Sequence, residues 1–177
     1  MNISRALIAV LLMGSAAIVH AQITSADNSV HPGSHPSVKI ALSTSATQFK
    51  LGEPVRLDIL LTNISGHPIF VGKEIGINGA NEYDVFVVND HGKSAPTTAY
   101  YRFIKGRRRP GDPKFFYSSH SRAILLVSPD QSVKSQIDLG KVYKIDQPGI
   151  YKIWVERQDE ISNQKLKSNT MTITMTP

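Results

Sequence analysis

The residues most able to do chemistry lie between Arg102 and Arg122. Arg102, Lys105, Arg107, Arg108, Arg109, Lys114 and Arg122 face a single acid there, Asp112. Guanidinium groups so clustered bind carboxylates and phosphates bidentately, and Phe115, Phe116 and Tyr117 supply contact area beside them. The chemistry implied is recognition of an acidic partner: a protein patch, an anionic glycan or a lipid headgroup. Counterion release would attract nucleic acid as well. The alternative is a solvated inter-strand loop with one or two aromatics tucked over a sheet edge. A second candidate is Trp154, whose parity sets it with Lys152 and Glu156, opposite Tyr151, Ile153 and Val155. It is a contact anchor if that face is solvated, and a packed residue if a neighbouring element covers it.

The other reactive side chains form no constellation. His31 and His35 have a spacing that suits a metal only on a helix, which Pro32 and Pro36 forbid, leaving weak chelation by a tail. Glu82 and Asp84 share a strand face near Asn78 and Asn81, yet the calcium-loop spacing of acids is missing. Glu156, Asp159 and Glu160 read as a solvated hairpin tip. Gly92-Lys93-Ser94 lacks the first glycine of a phosphate-binding loop, no nucleophile elbow occurs, and no carboxylate pair is set across a cleft. The sequence therefore calls for no catalytic residue, metal or cofactor, and predicts a protein that is not an enzyme.

The elements that must carry these residues are strands. Val38, Ile40 and Leu42 alternate with polar neighbours, as do Val55, Leu57, Ile59 and Leu61 after the turn at Gly52. A turn at Asn63–Pro68 leads to a short strand, Ile69–Val71. Tyr83–Val88 is apolar on both faces, so it is expected to be central, and Asn89-Asp90-His91-Gly92 makes a hairpin turn. Tyr100–Ile104, Ala123–Val127, Val133–Leu139, Ile150–Glu156 and Met171–Met175 complete the set, and Tyr151 is expected to pin its hydroxyl to nearby backbone. The pattern predicts an all-β, antiparallel, immunoglobulin-like sandwich of seven to nine strands without a helix, over residues 38–177.

Ahead of it, residues 1–21 read as a secretory signal: Arg5, an apolar centre Leu7–Met13, and Val19 and Ala21 before the cleavage point. Residues 22–37 read as a flexible linker. The mature chain then has 19 basic and 14 acidic residues, and outside the basic segment acids slightly outnumber bases. With no cysteine, neither a disulfide nor a lipid-anchoring thiol is available. A monomer in the periplasm or the medium is expected, where nucleic acid is not the physiological ligand. Asn63-Ile64-Ser65 matches a glycosylation acceptor and is read as chance.

Leu51-Gly52-Glu53-Pro54-Val55 and Leu60-Leu61-Thr62-Asn63 resemble the opening of bacterial immunoglobulin-like modules found beside deuterolysin-type metalloproteases. Ser128–Ser132, Ile137-Asp138-Leu139, Tyr143 and Pro148–Tyr151 continue the likeness. Pro129-Asp130 stands where such modules usually carry Pro-Gly. Thr62-Asn63, Tyr83-Asp84 and Asp90-His91-Gly92 are also similar to the intracellular proteinase inhibitor group of Bacillus. The resemblance covers Val38–Met175 and implies a free-standing binding or inhibitory module, since no His-Glu-x-x-His protease helix is present. Recognition of an acidic protein through the basic loop is the expected function; protease inhibition, or a structural role in the envelope, are the alternatives.

Overall fold

The computed structural model describes residues 35–75, 79–116 and 121–177. The predicted signal, His31 and most of the linker lie outside them, as do Asn78, Tyr117 and His120. Ten strands occur among the described residues: β1 (Val38–Thr44), β2 (Gln48–Lys50), β3 (Arg56–Asn63), β4 (Ile69–Ile75), β5 (Asp84–Asn89), β6 (Ser121–Val127), β7 (Ser132–Asp138), β8 (Gly149–Gln158), β9 (Lys165–Lys167) and β10 (Met171–Thr176). That exceeds the seven to nine expected. The three-residue strands β2 and β9 are too short to show a period. Two short helices, α1 (Ala99–Ile104) and α2 (Leu139–Val142), and a 3-10 turn at Gly79–Asn81 join them.

β3 lies between β1 and β7 in one antiparallel sheet, and the other runs β2, β10, β8, β5, with β9 extending the β10 side of β8. β2 pairs in parallel with β10, the exception to antiparallel order. Strands distant in sequence are thus neighbours: β3 with β7, and β8 with both β5 and β10. This is the pairing of an immunoglobulin-like sandwich, in which each sheet presents alternate residues to a shared core. Leu57, Ile59 and Ile137 from one sheet meet Ile153, Val155 and Ile173 from the other, all shut off from solvent. The predicted alternation therefore holds in β1, β3 and β8. β4 and β6 form a separate antiparallel ribbon.

Asn63 shows how a polar residue can sit fully inside such a core. Its Nδ2 donates to the carbonyls of His67 (2.9 Å) and Val127 (2.8 Å), while its Oδ1 accepts from the Ser65 backbone N–H (2.8 Å) and hydroxyl. The side chain stitches the end of β3 to its turn and to β6, so the amide nitrogen of the Asn-Ile-Ser triplet is internally committed.

Two further expectations fail here. Tyr100–Ile104 is helix, not strand: Thr98 Oγ1 accepts the Tyr101 N–H at 3.0 Å, an N-cap that starts the turn in an otherwise β-prone run. β5 is the outer strand of its sheet rather than a central one. Its two apolar faces arise because one side meets the core and Phe86, on the other, stacks against Trp154.

Candidate functional site: a braced basic loop at the edge of a sheet

The exposed edge of β5 would present unpaired backbone groups, and the chain closes it with local pieces. The Val85 N–H donates to Tyr101 Oη at 2.8 Å, and Tyr143 Oη donates to the Val85 carbonyl at 2.7 Å. Further along, the Ala95 N–H reaches the Val87 carbonyl, and Asn89 N–H the Lys93 carbonyl. Burial raises the hydroxyl pKa of both tyrosines, so both stay neutral, Tyr101 accepting and Tyr143 donating. Helix α1 is thereby pinned over the sheet edge, and the basic segment leaves from its end.

That exit is geometrically fixed. Gly106, at φ +64°, ends the helix in a Schellman motif: its N–H bonds the Phe103 carbonyl and the Arg107 N–H bonds that of Arg102. Arg109-Pro110-Gly111-Asp112 then forms a tight turn closed by Asp112 N–H to Arg109 carbonyl at 3.1 Å, with Gly111 at φ +86°. Proline second and a positive-φ glycine third suit a type II turn. Asp112 draws the turn back onto the helix, accepting Arg102 Nε at 2.9 Å, a second bond from Arg102 Nη2, and the Arg109 N–H at 2.8 Å. The Arg102 bond, then that of Arg109, holds its carboxyl well below the usual carboxylate range.

The predicted cations therefore divide. Arg102 is consumed by the Asp112 clasp. Lys105 is half-buried, with Nζ 3.3 Å from Asp84 and 3.2 Å from the Asn81 carbonyl. Desolvation lowers its pKa, opposed by Asp84. Arg107, mostly exposed, reaches Asp84 at 3.8 Å. Arg108, Arg109 and Lys114 make no ion pair within 4.0 Å among the described residues, and all three are exposed. Phe115 packs on Phe103 (5.3 Å between centroids) and edge-on to Tyr100 (6.0 Å), which fixes the returning chain to α1. Phe116 is 92% exposed. Tyr117 lies outside the described residues. Arg122 is not on this loop: it sits in β6 and pairs with Glu160 at 2.7 Å.

Trp154 is a half-buried platform, not a free anchor. It stacks on Phe86 at 5.1 Å with the rings 4° from parallel, and donates Nε1–H to Glu156 at 3.1 Å. Lys167 Nζ lies 4.3 Å from its ring centroid and Lys165 pairs with Glu156 at 2.7 Å. Asp84, which receives Lys105 and Arg107, is the register partner of Glu156. The root of the basic loop and the Trp154 face thus meet across two adjacent strands. Lys165, Lys167 and Phe86 were not singled out from sequence, because only strand register sets them beside Trp154. Asp159, expected in solvent, is buried and accepts from Ser37 and Ser162, anchoring the last residue before β1. Tyr151 Oη bonds the Gln147 carbonyl at 3.0 Å, as expected. No group of three or more His, Cys, Asp or Glu able to hold a metal, and no helix long and apolar enough to cross a membrane, occurs among the described residues.

No protein-family model matches the sequence, and no curated protein matches it. Among solved structures it is similar to the CARDB domain of the PF1109 protein from Pyrococcus furiosus, in complex with di-metal ions. That match has 11% identity and a TM-score of 0.39, over 80% of this chain and 89% of that one. It is also similar to the alkylpurine DNA glycosylase AlkC of Pseudomonas fluorescens (13% identity, TM-score 0.39), covering 82% of this chain and 32% of that enzyme. A β-glucosidase from Listeria innocua matches at 14% identity and TM-score 0.36, over 79% of this chain and 16% of that one. At these values the fold assignment rests on the strand pairing itself.

Proposed function

We propose that this protein is an exported, non-enzymatic binding module that recognises an acidic protein through the loop following α1. The observation carrying this reading is that the side chains of Arg108, Arg109 and Lys114 are exposed and make no ion pair within 4.0 Å among the described residues, on a loop held by the Arg102–Asp112 clasp. A pre-organised cationic surface loses little entropy on binding, and long-range attraction speeds encounter. Phe116, exposed on the returning chain, adds an apolar contact, and Arg107 joins the loop to the Trp154 face.

The test is capture from envelope and culture-supernatant fractions with the chain from Gln22 to Pro177 as bait, against the variant R107S/R108S/R109S. An acidic protein retained by the first, and held on the order of tenfold less by the second at low salt, is the expected result. Equal capture by both baits at low and high salt would remove the loop from the interaction.

A second reading, protease inhibition, is favoured by the braced Arg109–Asp112 turn, which has the rigidity a segment needs to occupy a substrate cleft. It also accords with the likeness to the inhibitor group. Assays on serine, cysteine and metalloproteases decide it: absence of inhibition at micromolar protein refutes it.

A further inference from the structure

A second charged cluster gathers beside Asn81 and Glu82. Gly72 of β4, Arg122 of β6, Asn81 and Glu82, and Arg157, Gln158 and Glu160 line a cleft of about 220 Å³. The Arg122 guanidinium lies directly on Gly72, where any side chain on β4 would displace it. From there its Nη2 reaches Glu160 Oε1 at 2.7 Å. Arg157 approaches the same oxygen from within, Nη2 at 3.9 Å, and donates to the Gly72 carbonyl at 3.3 Å. Two guanidinium groups therefore converge on one carboxylate.

Their settings differ in a telling way. Arg157 is nine-tenths buried, near Glu82 at 3.6 Å and over the Tyr83 ring. That Glu82 contact is made by Nη1, which is shielded from solvent and makes no hydrogen bond among the described residues, and Asn81 Oδ1 in the same wall is unbonded. Glu160, by contrast, is 57% exposed, and its tether is the surface turn after β8. A buried guanidinium held to Glu82 only by a long ion pair, an unbonded amide oxygen beside it, and an exposed carboxylate shared by two cations form an incomplete polar site.

We propose that this cleft binds the C-terminal carboxylate of a peptide, and that Glu160 occupies the carboxylate position until the peptide displaces it. The incoming carboxylate bridges Arg122 and Arg157, which bind it as a fork. The terminal amide N–H, a few atoms away, answers Asn81 Oδ1. Glu82, 3.6 Å from Nη1, orients Arg157 throughout. The volume is below that of a drug-sized pocket, which fits a chain end rather than a large ligand.

Titration calorimetry of the full chain with N-acetyl-dialanine tests this, in the native protein and in Glu160→Ala. Removing the internal competitor should tighten binding at least tenfold, and adding Arg122→Ala should abolish the gain. The methyl ester of the same peptide should not bind. Should Glu160→Ala fail to fold, Glu160→Gln keeps the shape and removes the charge. The proposal is overturned if the folded variant binds neither form, or if it binds acid and ester alike. It is equally overturned if N-acetylglutamic acid α-amide binds as tightly, or if inorganic phosphate does, which would mark an adventitious ion only. R107S/R108S/R109S should leave this binding intact, so failure here and failure of the basic-loop reading are separable.

Discussion

Replacing Tyr101 by phenylalanine removes one oxygen and nothing else from the brace on β5. The ring stays buried against Tyr143, 5.9 Å between centroids, so packing is conserved. What is lost is the acceptor, 2.8 Å away, for the N–H of Val85, which is itself 2% exposed. An orphaned buried donor costs about 1–3 kcal/mol. For a domain of this size each kcal/mol moves the melting temperature by roughly 2–4 °C, so a fall on the order of 5 °C is expected. Tyr143→Phe removes the donor to the Val85 carbonyl and should cost less, since a carbonyl has a second lone pair and tolerates partial satisfaction better. Because both hydroxyls serve one residue, the double variant should lose less than the sum. Thermal melts measure the totals, and amide hydrogen exchange localises them: Val85 N–H should exchange on the order of tenfold faster in Tyr101→Phe. If its protection is unchanged while the melting temperature stays within about 1 °C of native, the brace is not what closes this edge.

Two further outcomes are expected. Burial pushes the Asp159 carboxyl up, but hydrogen bonds from Ser162, Ser37 and the Ile161 N–H outweigh it and leave the pKa lowered. A carboxylate lowered on folding contributes stability above its unfolded value of about 3.9, and that stability fades as pH falls through the folded value. Asp159→Asn should therefore melt lower at pH 7 and lose part of the acid sensitivity below about pH 4; equal pH slopes in both proteins would contradict this. Asp130→Gly should stabilise the protein by about 0.5–1 kcal/mol, because Asp130 holds φ +61° in the turn after Pro129, and relief of left-handed strain exceeds the added unfolded-state entropy. Urea melts would show it, and a destabilised variant would mean the aspartate side chain has a role of its own.

The departure from Pro-Gly at Pro129-Asp130 was thus legible in the sequence, and its cost became visible only with the dihedral angle. The same division runs through the site. The concentration of arginines between Arg102 and Arg122 is plain in the sequence, but not which ones are free. Asp112 claims Arg102 from ten residues away, Asp84 of β5 draws in Lys105 from the end of α1, and Arg122 faces Glu160 far along the chain. Tyr100–Ile104 misled because its β-prone residues carry no polar period, while the cap at Thr98 and the tyrosine brace decide the helix.

Sequence alone determined the all-β class, the alternating inner faces of β1, β3 and β8, the turns at Gly52 and Gly92, and the absence of cysteine chemistry. Those follow from local rules: a period of two, positive-φ glycines, residue type. Tertiary structure decided that β5 is an edge, that Trp154 stacks on Phe86, that Asp159 is buried, and that Arg122 and Arg157 converge on Glu160. Each of these depends on which strands lie side by side and in what register. That choice is set by the summed burial of a whole sheet, and no single segment encodes it.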